Sequence, residues 1–578
     1  MVQTWSKTLC SEIFRVVNSR SPTERLPNEV LVHIFLFATE DTRQARSLDS
    51  DPEDRVPVDT LISLTHVCQR WRQVAIGFPL LWTHTDLHDR AQFATFEQRS
   101  RGLPLSLRIN RDDIFRTTRD GRLEDDKRVD DGSAMGKLIA SVANRLGTLD
   151  IIPMLEDGRS PRWLREKMCL PRLEALLLHF IQEPRPHWPF FGEETSNLKA
   201  LAMNGSGDWV PNNQFVHLTH LSISWDYEDD DTTLYQLLSR TPNLEFLELD
   251  NIGTCGGTPE RPASLQKLRS VTFLASNGHA VDLFKFCSTT NPFPLRMTTT
   301  HILVSDALDT LNCLPSVHQA TDLDIRIGAE LQKVHFVLQS AVAGFWLQGR
   351  TVEPGAAHDW FLLHVLHLHT HAPLSDVTSV TLDVPFVEAS SLVDVLRHAP
   401  RLETLKLRLS TPARGRVVRN DVQRDLRAAG GPATQVAHLC AALCERAAES
   451  SPDPTPALWP ELRALALCSN MCHKTAEFPA DVDRYAGALE DAAGARRAMG
   501  RPLRDLVVQP MGASVGPDVV SRCFDPQAVG RRFEERLPEL VERFEWLGLE
   551  DDIFGEFEER KFWTVDGEDR YWTRDDDW

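Results

Sequence analysis

A short apolar stripe near the start of the chain predicts its first helix. Val30, Leu31, Ile34 and Phe35 follow at the spacing of one helical face, and Pro27 suits the first helical position because its missing N–H costs nothing there. A second helical run repeats its apolar residues every three or four positions, at Leu61, Leu64, Cys68, Trp71 and Ala75. These few short helices bury too little apolar surface to be stable alone, so we expect them to pack against a partner or the next domain.

Further along, the pattern changes to short strands. Alternating apolar and polar residues predict a strand at 104–109, and a helix is expected at about 134–145. A Leu-x-x-Leu-x-Leu pattern then recurs, with first residues 27, 25, 20, 26 and 24 positions apart, at Leu146, Leu173, Leu198, Leu218, Leu244 and Leu268. It fades, leaves another strand at 322–327, and resumes at Val377, Leu402, Leu462 and Leu503. A period of about 20–29 residues is typical of leucine-rich repeats.

The repeats predict the second part of the fold. One copy cannot bury its apolar edge alone, so neighbours stack, and we expect a curved α/β solenoid over residues 100–511 with a polar insertion at about 410–432. A non-repetitive α/β fold is the alternative. Strand residues that alternate with the leucines would line one concave face, which is either a solvated surface or a binding surface for another protein. The substrate-binding candidates on this face are His220, Ser222, Ser224, Phe246, Glu248, Asp250, Lys406 and Arg408.

Composition narrows the class of protein. The 578-residue chain carries 63 Lys and Arg against 83 Asp and Glu, a formal charge of −20, which argues against a general binder of nucleic acid or anionic membranes. Its 11 cysteines lack the spacing of a disulfide framework, so reduced thiols in the cytoplasm or nucleus are expected. The N-terminus lacks the apolar core of a signal peptide, and no apolar run reaches about 18 residues. We therefore expect neither secretion nor membrane insertion.

Residues that could carry chemistry are few. His364, His367, His369 and His371 fall in one short stretch; on a strand the last three would share a face that could hold zinc, although exposed strand histidines need no metal. Cysteine and histidine also crowd together at 468–473, but without a second ligand pair at zinc-site spacing. The chain has no Gly-x-Ser-x-Gly, no P-loop and no Gly-x-Gly-x-x-Gly behind a strand. We expect no catalysis, no metal and no cofactor.

Several short motifs occur in a fixed order between residues 26 and 82. They are Leu26-Pro27, Glu29-Val30-Leu31, Ile34-Phe35, Val67-Cys68-Gln69-Arg70-Trp71-Arg72 and Pro79-Leu80-Leu81-Trp82. This ordered set resembles the F-box, of the kind abundant in mushroom-forming fungi. The sequence departs from the family pattern by a polar insertion from about Glu40 to Asp59, which we expect to loop out. Ordinary core helices of an α-domain are the alternative.

The resemblance implies a function for the whole chain. F-box proteins with repeats dock on a Skp-type adaptor, which links them to a cullin–RING ubiquitin ligase, while the repeats select the substrate protein. The chain would then be a non-catalytic substrate receptor that raises the effective concentration of substrate lysines near the ligase. Matching to the family motif assigns the adaptor contact, or the packing behind it, to Leu26, Pro27, Val30, Leu31, Ile34, Phe35, Val67, Trp71 and Trp82.

The predicted organisation has four parts. An N-terminal extension at 1–22 precedes the F-box-like domain at 23–87, whose inserted loop lies at about 40–59; the solenoid at 100–511 and a C-terminal region at 512–578 follow. Within the last part, Arg531 to Leu547 is expected to form a capping helix. The acidic tail behind it is rich in aromatic residues and could bind a basic partner, fold back over the last repeat or stay a flexible solubilising tail.

A second function fits the same pattern. The chain could be a solenoid interaction scaffold whose F-box-like helices only cap the first repeat, without a ligase role. The two hypotheses differ in whether the apolar stripe at 27–37 is left uncovered, since an uncovered stripe favours an adaptor. A metal enzyme built on the histidines is a more remote alternative.

Overall fold

A computed structural model gives the fold of the chain. The charged segment predicted at 111–131 and nearly all of the insertion at 410–432 lie outside the residues that it describes. Those residues are 22–39, 46–47, 56, 58–87, 89–110, 133–151, 162–179, 189–193, 197–205, 210–224, 232–250, 263–274, 287–288, 293–299, 317, 319–327, 333–350, 365–370, 372–384, 389–409, 432–445, 458–470, 478–511, 526–548, 551, 553–554 and 565–573.

The described chain is mixed α/β. In chain order its helices are α1 Asn28–Ala38, α2 Asp59–Val67, α3 Gln69–Gly77, α4 Arg90–Arg99, α5 Ser133–Val142, α6 Arg162–Arg165, α7 Thr232–Ser239, α8 Ala389–Leu396, α9 Pro432–Cys444, α10 Phe478–Ala498 and α11 Pro526–Glu534. Its strands are β1 Arg46–Ser47, β2 His84–Asp86, β3 Leu105–Ile109, β4 Leu146–Ile151, β5 Ala175–His179, β6 Ala200–Asn204, β7 His220–Ser224, β8 Phe246–Asp250, β9 Ala263–Ser264, β10 Ser270–Leu274, β11 Cys287–Ser288, β12 Pro294–Thr299, β13 Asp322–Ile327, β14 Lys333–Gln339, β15 Gly344–Arg350, β16 Ser379–Asp383, β17 Thr404–Leu409, β18 Ala464–Asn470, β19 Asp505–Met511, β20 Arg543–Trp546 and β21 Trp572–Thr573. Short 3-10 helices lie at Pro22–Arg25, Pro79–Trp82, Ala143–Arg145, Phe190–Glu193, Val365–Thr370 and Glu568–Arg570.

The chain forms two compact units. Unit 1 comprises Met1–Leu247, Gly256–Lys267 and Val565–Trp578, and unit 2 comprises Glu248–Cys255 and Leu268–Thr564. The C-terminal residues of the chain therefore belong to the same unit as its N-terminal helices.

In unit 1, the six strands β2 to β7 pair in parallel in the order of the chain. The apolar positions of the recurring sequence pattern lie in register, so that successive strands place equivalent side chains side by side in the core. The structure confirms the strand predicted at 104–109, the strands predicted at the first copies of the leucine pattern, and the helix predicted near 134–145. The two buried ladders are Leu149, Leu176, Leu201 and Leu221, and Ile151, Leu178, Met203 and Ile223.

In unit 2, the strands pair in the order β10, β12, β15, β14, β13, β16, β17, β18, β19, β20. All neighbours are parallel except at β14, which runs antiparallel to both β13 and β15. The β14–β15 hairpin turns at 340–343, and β15 opens with Gly344, where a Cβ would lie 2.6 Å from the Cα of Gln339. This hairpin lies in the stretch of the chain where the leucine pattern fades.

Three expectations about helices and loops need correction. The helical run from Leu61 to Ala75 is two helices, α2 and α3, since the backbone at Cys68 is extended. The predicted capping helix ends at Glu534: Pro538 disfavours continuation, and Arg543–Trp546 forms β20, parallel to β19. The polar insertion is not all loop, because Arg46–Ser47 pairs in parallel with Trp572–Thr573.

A buried arginine stabilises unit 2. Arg496 on α10 is fully buried and donates hydrogen bonds to the carbonyl oxygens of Trp459, at 3.2 Å, and Leu462, at 2.9 Å. Burial, with a smaller contribution from Arg501, lowers its pKa to about 10.

We expect Arg496→Met to lower the free energy of unfolding by about 2 kcal/mol, because two buried carbonyls lose their donor while the apolar stem is kept. Denaturant unfolding of the full chain measures the loss. Arg497→Met is the control on the exposed side of the same helix. Arg497 also donates to a carbonyl oxygen, that of Glu539, but this contact is exposed to water, so its loss should change stability by no more than about 0.5 kcal/mol. Equal effects of the two substitutions would contradict the role assigned to Arg496.

Candidate functional site

Three short helices at the N-terminus of unit 1 are held together by polar contacts. Cys68 separates α2 from α3, and its Sγ accepts a hydrogen bond from the backbone N–H of Trp71 at 3.4 Å. Arg70 on α3 reaches the start of α1, where its guanidinium donates to Oδ1 of Asn28 at 3.0 Å and to the carbonyl oxygen of Leu26. The entry into α1 is therefore fixed by a residue of α3.

The inward side of α1 belongs to an apolar core. Leu31 and Phe35 are fully buried, and the ring of Phe35 lies 5.0 Å from that of Trp71. Trp82 is also buried; its indole N–H donates to the carbonyl oxygen of Ala75 at 2.8 Å, and its ring meets Phe96 of α4 edge-on at 5.0 Å. The helices thus share their core with the next element of the chain, as their small size requires.

The outward side of α1 presents a row of apolar side chains to solvent. Val30 and Ile34 are each 40% exposed and Phe37 is 79% exposed, at positions i, i+4 and i+7 of one helical face. On α2, Val67 is 55% exposed. Such a row of large apolar side chains on one helix face is a candidate binding surface.

The family comparison concerns this same region. Residues 23–88 match the family model described as F-box-like. The chain carries an F-box-like domain. No curated protein matches the chain. The match covers the three helices, the 3-10 turn at Pro79–Trp82 and β2, so it includes the exposed row on α1.

The structure sorts the predicted adaptor residues of the F-box-like domain by exposure. Pro27, Val30, Ile34 and Val67 are exposed, Leu26 and Trp71 are half-buried, and Leu31, Phe35 and Trp82 are buried. The buried three can act only through the packing behind the surface. Phe37 was not among the candidates, although its spacing from Val30 and Ile34 signals the same helical face.

The sheet face that the sequence assigned to substrate is not open in unit 1. His220, Ser222 and Phe246 are buried, so the expectation that they line an accessible surface is wrong; Ser224 of β7 is half-buried. Glu248 and Asp250 of β8 belong to unit 2 and are half-buried as well. Within unit 1, the C-terminal segment of the chain, residues 565–573, contacts His220 and Phe246 and so contributes to their burial.

Two aromatic residues of this segment cover the face. Trp572 is 6% exposed and packs in one cluster with Tyr571 and four small or aliphatic residues of β5 and β6, namely Ala175, Leu177, Ala200 and Ala202. The ring of Tyr571 meets His220 edge-on at 4.9 Å, and His220 stacks on Phe246 at 4.4 Å. Burial, aided by Glu174, raises the pKa of Tyr571 against the opposing charges of Arg570 and Lys199.

In unit 2, the predicted substrate residues also contact C-terminal chain. The Nζ of Lys406 donates to the carbonyl oxygen of Ile553 at 3.3 Å, and the guanidinium of Arg408 lies 4.9 Å from the ring centre of Phe554. Arg408 also forms an ion pair with Asp383, at 2.5 Å between Nε and Oδ1. Lys406 and Arg408 are therefore half-buried rather than fully exposed.

The residues considered for metal binding do not form a site in the described chain. His369 lies in a 3-10 helix, not a strand, and its ring stacks on His398 at 3.9 Å, so the expectation of a strand row is wrong. His364, His371, Cys472 and His473 lie outside the described residues, and no group of three or more potential ligands occurs among those described. Likewise, none of the described helices is long and apolar enough to span a membrane.

Proposed function

We propose that this chain is the substrate receptor of a Skp–cullin–F-box ubiquitin ligase, whose F-box-like domain docks on a Skp-type adaptor. The observation that carries the proposal is the exposed apolar row of Val30, Ile34 and Phe37 within the F-box-like domain. Leu31 and Phe35 hold the opposite side of the same helix in the core, so the row is presented on a rigid element. A partner that covers the row would bury apolar surface at about 25 cal/mol per Å².

The strands of both units supply the second half of the proposal. In each unit, parallel strands at repeated spacing, with equivalent apolar positions in register, support leucine-rich-repeat-like copies whose strands bind the substrate. Repeats of this kind present a long surface made from many strands, which suits recognition of a protein rather than a small molecule. Four of the proposed substrate residues are charged: Glu248 and Asp250 are acidic, and Lys406 and Arg408 are basic.

In this role the chain performs no chemistry itself. It binds the adaptor at one end and the substrate protein on the repeats, so that substrate lysines stay near the ubiquitin-charged enzyme of the assembled ligase. Such tethering raises the local concentration of reactants to about millimolar, which a free encounter at cellular concentration does not reach.

Leu26 and Pro27 offer a direct test of the adaptor assignment. Replacing both with Ala should weaken binding of the full chain to a purified Skp-type adaptor by at least ~2 kcal/mol, about thirtyfold, if they belong to the centre of the interface. Isothermal titration measures the change. Leu103→Ala, at a partly exposed leucine outside the F-box-like domain, is the control. Unchanged adaptor binding by the double variant would remove Leu26 and Pro27 from the interface.

The scaffold function remains the second candidate, and one contact favours it. Trp82 packs on Phe96 of α4, and Arg99 of α4 lies 4.3 Å from the ring centre of Trp82, so the F-box-like helices do adjoin the element that leads to β3. A capping role explains this inward packing of Trp82, but it does not explain the exposed apolar row on α1. Adaptor binding therefore separates the two functions.

A further inference from the structure

We propose that the sheet face formed by β5, β6 and β7 in unit 1 is a binding surface for protein segments with two adjacent aromatic residues, and that residues 565–573 of the chain occupy it in cis. The proposal rests on the proposed function, because the strands of unit 1 belong to the surface proposed there to bind the substrate, and it adds the chemistry of the partner. A substrate segment of similar sequence would displace the chain's own segment.

The floor of the surface fits a large aromatic ring. Ala175 and Ala200 are paired in neighbouring strands, as are Leu177 and Ala202, so three of the four side chains on this half of the face are alanine methyl groups. Trp572 lies on these four residues and is 6% exposed. Large aromatic side chains such as this indole bury about 150–250 Å² each, which suits a broad floor of short side chains.

A second part of the surface, around His220, contacts Tyr571, the aromatic residue next to Trp572. His220 stacks on Phe246, and Tyr571 meets the edge of the same imidazole at 4.9 Å. Nε2 of His220 lies 2.8 Å from the carbonyl oxygen of Gly567, which links the turn before the aromatic pair to the face. Gly567 has φ of +93°, a conformation that glycine adopts without strain, and this turn brings its carbonyl to His220.

The backbone of the segment is bound as well. Trp572 and Thr573 pair in parallel with Arg46 and Ser47 of the insertion in the F-box-like domain. Addition of a short strand to an exposed strand edge is a common way to bind an extended peptide, with side-chain pockets supplying the specificity. The insertion that departs from the family pattern thus contributes backbone partners to this surface.

Unit 2, considered by itself, repeats the arrangement with another part of the C-terminal chain. Phe554 is buried under the guanidinium of Arg408, and the backbone N–H of Ile553 donates to Oε1 of Gln509 at 3.3 Å. Here too an aromatic side chain and main-chain hydrogen bonds cover residues that the sequence assigned to substrate.

The test uses the full chain and a labelled peptide with the chain's own sequence from 565 to 576. In the release variant, Tyr571→Ala with Trp572→Ala, the cis segment loses both aromatic anchors and the face becomes available. Because the cis segment competes at an effective concentration of about millimolar, the peptide should bind the release variant at least about 10-fold more tightly than the wild-type chain. Fluorescence anisotropy measures both affinities.

Two substitutions on β6 locate the binding. Ala202→Arg in the release variant fills the floor and should weaken the peptide at least about 30-fold, whereas Asn204→Arg, two residues along the same strand, should leave binding within about threefold. A peptide with Ala at both aromatic positions should not bind. Circular dichroism and thermal unfolding confirm that each variant is folded.

The outcomes are separable from those of the proposed function. Equal binding to the wild-type chain and the release variant would overturn the proposal, because the peptide would then bind away from this face. No binding to a folded release variant would also overturn it and make the segment a fixed part of unit 1. Adaptor binding by the same proteins is measured separately and should be unchanged, since the aromatic anchors lie outside the exposed row of α1. Loss of the ligase role alone would show as failed adaptor binding with the peptide result intact.

Discussion

Replacing Ile34 and Phe37 together with Asp should abolish adaptor binding, with a loss of at least about 4 kcal/mol, roughly a thousandfold in affinity. Both side chains point outward from α1, so the substitutions remove apolar contact area and place two carboxylates where the partner must exclude water. The folded chain tolerates them because neither residue contributes to the core of the F-box-like domain. Titration of the full-length variant with a purified Skp-type adaptor measures the affinity.

The control places one carboxylate on an exposed apolar residue elsewhere. Val342 lies in the β14–β15 turn of unit 2 and is 71% exposed, close to the value for Phe37. Val342→Asp should leave adaptor affinity unchanged. Wild-type affinity in the Ile34→Asp, Phe37→Asp variant would mean that the exposed row is not the adaptor surface.

Phe35→Ala should destabilise the F-box-like domain by about 3–5 kcal/mol, the cost of truncating a buried aromatic side chain and leaving a cavity. Phe35 is fully buried and contacts Trp71, so its loss affects the packing between α1 and α3. Hydrogen exchange of residues 22–99 in the full chain reports this local stability without requiring the rest of unit 1 to unfold.

Phe37 supplies the control for this prediction on the same helix. Phe37→Ala removes the same number of atoms from an exposed position and should change local stability by no more than about 0.5 kcal/mol, while it weakens the adaptor. The two phenylalanines should thus separate folding from binding. If Phe37→Ala were as destabilising as Phe35→Ala, the assignment of Phe35 to the buried side of α1 and of Phe37 to its exposed side would be wrong.

The sequence predicts the strands of both units well because their signal is local and repeated. Each copy places two apolar residues on one side of a short strand, and Leu176, Leu201 and Leu221 then align in neighbouring strands. The same dependence on leucine spacing explains where strands are harder to predict. The β14–β15 hairpin inserts strands without the leucine spacing, so no repeat could be detected there.

Which side of α1 faces the core of the F-box-like domain is harder to predict from sequence. Val30 with Leu31, and Ile34 with Phe35, are adjacent pairs of similar hydrophobicity, so periodicity alone does not tell which member faces the core. The neighbours decide: Trp71 packs on Phe35, and the cluster of Leu61, Leu64 and Ala75 encloses Leu31 and Phe35. Val30 and Ile34 are left outside.

The covering of the sheet face could not be predicted, for a different reason. Ala200 and Ala202 carry no pattern that distinguishes a floor for Trp572 from an ordinary small residue in a strand. The aromatic residues of the tail indicate that it could fold back over the last repeat. They indicate neither β5 and β6, on which Trp572 packs instead, nor the pairing with Arg46 and Ser47. Contacts between residues so distant in the chain depend on the assembled sheet.

Binding of the full chain to a purified Skp-type adaptor tests the central claim most directly. The exposed row on α1 predicts a stable complex of the two proteins, observed by size-exclusion chromatography with light scattering, in which Val30, Ile34 and Phe37 become protected from solvent. Failure of the well-folded full chain to form this complex would contradict the receptor role and leave a repeat scaffold with an F-box-like cap.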